Sequence, residues 1–316
     1  MLIFILLLII CSSSLIVKLH FFTLTGVRKL FSMPPTLPEI FDRRLYRLRR
    51  ARAAKTLGNA DFLHRRAMED VVDRLESITR EFERGVFFGA GDLVNMLTPA
   101  CGVINVINCD YAEARLPAGR SGFVGDEEAL PIKSESVDLI VSLLTLHHAN
   151  DLIGALAQMR RTLKPDGLML AVLFGENTLS RVKRSFFDVE SRLTGGVSPR
   201  ISPFGHVRDL GSALQRAGFA LPVADLDRAN VDYSEPVKVF QDLRAMGETS
   251  VFVDRGRGLR RDVFLGVVQD LASDGKVSFD IVTLTGWAPA PHQQKPLKPG
   301  SGKTSLAQAV KLAKSR

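Results

Sequence analysis

Along "FLHRRAMEDVVDRLESITREF", residues 62–82, the apolar positions Met68, Val71, Val72, Leu75 and Ile78 recur at helical spacing. The stretch therefore reads as an amphipathic helix. The pattern then changes to short apolar runs alternating with helical ones. "RGVFFG" at 84–89 reads as a strand and "GDLVNMLTPA" at 91–100 as a helix. "GVINVINCD" is a second strand, "GFVGDEEALP" a short third strand with its loop, and "SVDLIVSLLTL" a fourth. The helix "DLIGALAQMRRTL" follows, "KPDG" turns the chain, and "LMLAVLFG" is a fifth strand. Strands that are apolar throughout are buried on both faces, as in a parallel sheet covered by helices. Strand–helix alternation at this pace predicts right-handed crossovers and an α/β, doubly wound, Rossmann-like sheet.

Past Gly175 the rhythm loosens. Helices are predicted at "LSRVKRSFFDVESRL", "HVRDLGSALQRAG", "PVKVFQDLRAM" and "RDVFLGVVQDLAS", and strands at "ADLDRANVDY" and "VSFDIVTLTGW". Between the first two helices, "TGGVSPRISPFGHV" is too rich in Gly, Ser and Pro for either element and reads as an ordered loop near a site. Four segments result: an apolar stretch at 1–32, a basic arm at 33–60, the folded domain at 61–290, and a basic tail at 291–316 that reads as disordered. The first segment has no positive n-region and no A-x-A site, so it is a poor secretory signal. A translation start at Met33 is favoured. A membrane anchor giving weak membrane association is the second reading, because about 20 apolar residues span a bilayer.

Hydrophobic content of 46% with 24% charged residues is ordinary for an α/β protein of 316 residues. Cys11, Cys101 and Cys109 form neither a metal-ligand spacing nor a disulfide framework, which suits a reducing, cytoplasmic setting. The formal charge of +8 is concentrated in the arm, where "RRLYRLRRAR" carries six arginines, and in the tail. Solvated basic termini on a near-neutral body explain it as well as an anionic partner does. No aromatics are interleaved as a stacking platform, so no nucleic-acid partner is expected. "PGSGKTS" at 299–305 resembles a P-loop, but Leu297 stands where its first glycine belongs and no strand precedes it.

In such sheets ligands bind beyond the carboxyl ends of the strands. Gly89 and Gly91 let a ligand approach the backbone, and a helix N-terminus after them offers free N–H groups. Asp110 ends the second strand nineteen residues after Gly91. An acid there can accept hydrogen bonds from both hydroxyls of a ribose. Asp126, with Glu127 beside it, is placed to accept from an adenine amino group, and Ser142 and Leu143 end the fourth strand toward the same site. His147 and His148 follow, either of them a candidate base or substrate-orienting group. Neighbouring histidines in an extended stretch point to opposite sides, so no metal site is expected. Ser202, Pro203 and Phe204 are the candidate substrate contacts in the Gly/Ser/Pro loop.

The set "GVFFGAGDL", "VINCDYAEA", "ALPIKSESVDLIVS", "LHHAND" and "LKPDGLMLAVLFG" resembles class I S-adenosylmethionine-dependent methyltransferases, most of all the type 11 group with the biotin-pathway malonyl-carrier-protein methyltransferases. "GGVSPRISPFGHVRDLGSALQRAGF", "VDYSEPVKVFQDLRAMGETS" and "LTGWAP" are similar to the family of complex I assembly factors that hydroxylate an arginine of a complex I subunit. The resemblance covers about residues 41–290. It implies a seven-stranded sheet with its last strand antiparallel, capping helices, and S-adenosyl-L-methionine as cofactor. Gly89 and Gly91 fall on the glycine loop, Asp110 on the ribose acid, Asp126 on the adenine-side acid, and His147 on the histidine of the family's "LHW". Two positions depart from that pattern: Phe87 replaces an acid and Leu93 a third glycine. Losing a charge-assisted partner is worth about 1.5–3 kcal/mol. Three functions follow as expectations: a methyltransferase, an arginine hydroxylase or assembly factor for complex I with a protein substrate, and a non-catalytic scaffold with a degenerate cofactor loop.

Overall fold

The structure is a computed structural model that describes residues 39–294 and Ser305. The apolar segment 1–32 and most of the basic tail, including the P-loop-like stretch up to Thr304, lie outside the described residues. No described helix is long and apolar enough to cross a membrane.

Two helices, α1 (Arg43–Ala53) and α2 (Phe62–Glu76), precede β1 (Phe82–Phe88). Strands β2 (Val103–Asp110), β3 (Gly122–Val124) and β4 (Val137–Leu143) follow, then α3 (Leu152–Thr162) and β5 (Leu163–Phe174). The second half contributes α4 (Ser180–Thr194), α5 (Val207–Arg216), β6 (Ala220–Asp232), α6 (Val237–Met246), α7 (Arg261–Leu271) and β7 (Lys276–Trp287). The seven strands form one sheet in the order β3-β2-β1-β4-β5-β7-β6. β1 to β5 are parallel, and β7 runs antiparallel to both β5 and β6. This is the Rossmann-like, seven-stranded sheet that the apolar runs and the resemblance predict.

Alternation along the strands builds a core on each face of the sheet. Phe87, Leu139, Val141, Leu168 and Leu170 turn to one side, where α2 supplies Leu63, Met68 and Leu75. Val86, Phe88, Ile140 and Met169 turn to the other, against Leu156 and Met159 of α3 and Leu214 of α5. The β5–β7 ladder, running from Leu168 opposite Trp287 to Phe174 opposite Ile281, extends the sheet to the edge strand β6.

Three sequence expectations are corrected. "GDLVNMLTPA" is not an α-helix but two 3₁₀ pieces, Gly91–Met96 and Pro99–Cys101. Pro99 cannot continue a helix begun at Gly91, and β2 starts at Val103. β6 begins at Ala220, four residues before the predicted strand, because it follows β7 back to Trp287. Finally, the basic arm is no solvated terminus. Residues 43–53 form α1, which buries Tyr46, Arg50 and Ala53, and the described residues 39–294 belong to one compact unit.

Candidate functional site

The strand order reverses between β1 and β4, and the ends of these two strands define the cleft. Gly89 closes β1 with φ +72°, and a Cβ there would lie 2.4 Å from Thr145 Cγ2 and 2.6 Å from the Leu143 carbonyl oxygen. Only glycine fits that crossing. Gly91, with φ +52°, opens the six-residue 3₁₀ piece. Ser142 is buried at the end of β4, where its hydroxyl shares a 2.8 Å hydrogen bond with that of Thr145.

Asp110 is buried at the end of β2, and its carboxylate is already engaged. Arg50 of α1 donates to it from Nε at 3.1 Å and from Nη2 at 2.6 Å, while the Ala112 amide donates at 2.9 Å. Burial pushes the Asp110 carboxyl up, but Arg50 outweighs it and the group is held below its ordinary value. Arg50 also donates to the Tyr46 hydroxyl at 3.1 Å. Seven residues earlier, on the same helical face, Arg43 reaches Asp126 at 2.6 Å, Glu127 at 2.8 Å and Glu128 at 3.2 Å. Arg115, buried beside Asp110, is lowered to about 10 by burial and then by the charge of Arg50. Both acids assigned to an adenosine therefore hold arginines of α1.

A second centre lies beyond β4. After Leu144, whose φ is +51°, Leu146–His148 make a 3₁₀ turn, so the two imidazoles do not diverge as an extended stretch would require. Their ring centroids are 4.4 Å apart. Both face Glu248, which Gly247, in the left-handed conformation at the end of α6, swings inward. His147 Nε2 and Glu248 Oε2 are 3.0 Å apart, and His148 Nε2 lies 3.4 Å from Ser202 Oγ. Burial raises the Glu248 carboxyl, yet the charge and hydrogen bond of His147 bring it down to about 2. Burial and then the charge of His147 lower His148 to about 3, so it is neutral at physiological pH.

His148 and Glu248 close one end of a cavity of about 320 Å³. Phe174, Phe186, Phe204, Phe240 and Phe279 line it together with aliphatic side chains and with Arg49 and Arg200. Ser202 and Phe204 line it as the loop's composition suggested, whereas Pro203 is exposed and faces a neighbouring groove. The loop is fixed from below by Glu190 of α4, which pairs with Arg200 and accepts from the Ser198 amide at 3.1 Å.

The structure thus gathers the predicted residues into two places: Gly89, Gly91, Asp110, Asp126, Glu127, Ser142 and Leu143 around the cleft, and His147, His148, Ser202 and Phe204 around the cavity. Sequence reasoning missed Arg43, Tyr46, Arg50, Arg115 and Glu248. The seven-residue spacing of Arg43 and Arg50 was a usable signal; nothing local marked Glu248.

Residues 86–171 match the family model described as a methyltransferase domain. The chain is 33% identical over 304 residues to "Arginine-hydroxylase NDUFAF5, mitochondrial" of Mus musculus, covering 91% of this chain and 89% of that one. It is 32% identical over 292 residues to the protein of the same name from Danio rerio, covering 87% and 91%. Malonyl-[acyl-carrier protein] O-methyltransferase of Gallionella capsiferriformans is 28% identical over 280 residues, covering 80% and 93%. The fold and the matched domain are those of S-adenosylmethionine-dependent methyltransferases, whose cofactor is S-adenosyl-L-methionine. Within that class the chain belongs to the NDUFAF5 family.

The positions that hold this cofactor in the class are present, and α1 already engages two of them. A ribose would share the Asp110 carboxylate with Arg50 and the Ala112 amide, and an adenine would share the acids that Arg43 pairs with.

Proposed function

We propose that the chain hydroxylates an arginine side chain of a protein, a subunit of respiratory complex I being the partner class that its family resemblance implies. One observation carries this reading: Glu248 Oε1 is buried with no hydrogen-bond partner at the end of the aromatic cavity. A carboxylate beneath aromatic rings is complementary to a guanidinium, which pairs with acids and stacks on rings. The long aliphatic stem of an arginine suits the apolar walls, and the extended backbone of a protein substrate would stay outside.

Hydroxylation is a two-electron oxidation: with dioxygen as oxidant, one oxygen atom enters the arginine and the other leaves as water, at the expense of two electrons and two protons from an external reductant. The chain itself supplies binding, orientation and exclusion of bulk water. Glu248 holds the guanidinium, Phe174, Phe204 and Phe279 flank the stem, and the His147–Glu248 pair offers a buried site for a proton. The test is mass spectrometry of arginine-bearing complex I subunits from a deletion strain, before and after complementation. The expected result is one arginine gaining a single oxygen only when the wild-type chain is supplied. A gain of one methylene instead would make the chain a methyltransferase. No change of mass with impaired complex I assembly would leave a scaffold.

A further inference from the structure

We propose that His147, His148 and Glu248 form a binding site for a divalent transition-metal ion at the inner end of the aromatic cavity. The candidate ligand atoms are His147 Nε2, His148 Nδ1 and Glu248 Oε2, and the ion would take the place of the proton that His147 and Glu248 share; the three residues offer ligand atoms within 4.8 Å of one another. Among the described residues this is the one group of three such side chains spaced to share an ion. Ions held at about 2.1 Å place neighbouring ligand atoms about 3.0 Å apart in octahedral geometry and about 3.4 Å apart in tetrahedral geometry. The His147–Glu248 distance is 3.0 Å; the His148–Glu248 distance is 3.8 Å and closes with a small rotation of the ring.

Two observations independent of the spacing point to a ligand. His148 Nδ1 is buried without a hydrogen-bond partner, a state that costs free energy unless something else satisfies it. His148 Nε2 faces Ser202 Oγ at 3.4 Å. A ring N–H directed at that hydroxyl puts the lone pair on Nδ1, the atom turned to Glu248. An outer partner that fixes the tautomer is the usual companion of a metal-binding histidine. Arg50 is paired with Asp110, Arg43 with the three acids at 126–128, and Arg49, which also lines the cavity, donates to the Thr249 hydroxyl, so among the described residues no arginine pairs with the Glu248 carboxylate.

Two imidazoles and one carboxylate suit iron(II), cobalt(II), nickel(II) or zinc(II) rather than magnesium or calcium. Three protein ligands leave coordination positions open, and because His148 and Glu248 line the cavity, those positions face whatever enters it. The site stands on the residues alone and does not depend on the cavity's occupant being an arginine.

The test is calorimetric titration of the chelator-stripped, full-length chain with cobalt(II), followed in parallel by visible absorption. One equivalent should bind, with absorption bands of nitrogen and oxygen coordination. Glu248→Gln, which keeps the shape and a hydrogen bond to His147, should abolish both signals. Ser202→Ala should weaken binding ~10-fold by freeing the His148 ring. His206→Ala, at a surface histidine paired with Glu176, should bind as wild type does. Circular dichroism of each variant establishes that it is folded. No cobalt binding by folded wild-type chain, or equal binding by folded Glu248→Gln, overturns the proposal. Metal binding without arginine hydroxylation keeps the site and rejects the hydroxylase, while hydroxylation by a folded chain that binds no cobalt keeps the hydroxylase and rejects the site.

Discussion

Phe87 stands where the class carries an acid, and its ring is fully buried in the apolar cluster beneath the glycine loop. Leu93, at the position of the third glycine, packs into the same cluster. The two departures are therefore core residues, and an acid restored at 87 would enter that cluster. Phe87→Asp would bury a carboxylate with no partner, or protonate it, at a cost of several kcal/mol. Phe87→Leu keeps the site apolar and should lose much less. Urea denaturation should show a large fall in midpoint for the first and a small one for the second; equal midpoints would mean that position 87 reaches water. From the sequence alone the replaced acid was visible but not its consequence, because the surroundings of Phe87 come from α2 and from β4 and β5.

Element by element, what was legible follows from the range of the interactions. The strands were legible because an apolar run is a local property, and the histidines because they sit at a strand end. The 3₁₀ pieces after Gly89 were misread because GDLVNM has a helical pattern and the decisive restraint, the nearness of Pro99 and β2, lies outside it. α1 was misread because a run of arginines looks solvated, and its pairing partner Asp110 is sixty residues away. Yet that pair is buried, so removing Arg50 leaves the Asp110 carboxylate with only Arg115, 3.7 Å away, as a charged partner. Arg50→Met should destabilise the chain by about 3–5 kcal/mol, and Arg50→Met with Asp110→Leu should recover most of the loss. Thermal and urea melts of the two variants measure it. The same latch bears on the cofactor. Opening it with Arg50→Met, which releases the two Asp110 oxygens from the guanidinium, should tighten binding of S-adenosylhomocysteine relative to wild type in calorimetry; weaker binding would show that α1 helps to hold the cofactor.

For the molecule as a whole, the buried charges around the cleft set how it responds to acid. His64 of α2 is fully buried with neither ring nitrogen hydrogen-bonded, and burial, then the charge of Arg115, lowers it from 6.5 to about 3. Between those values the unfolded chain carries a proton on this ring that the folded chain does not. Stability is thus fully present above about pH 6.5 and falls as the pH drops toward 3, by up to about 1.4 kcal/mol per pH unit for this one group. Asp110 adds to the slope further down. Its folded value lies below 3.8, so the stability contributed by its pairing with Arg50 is lost as the pH falls beneath that point. Both effects have the same sign, and the chain should melt at steadily lower temperature from neutral pH into acid. His64→Leu separates the two, since it removes two desolvated nitrogens and leaves the Asp110 pair intact. Melting curves from pH 7 to pH 4 should be flatter for His64→Leu than for wild type, with no loss of stability at pH 7. An unchanged slope would mean that the folded chain takes up the proton on His64, and that Arg115 and Arg50 leave room for a charge there.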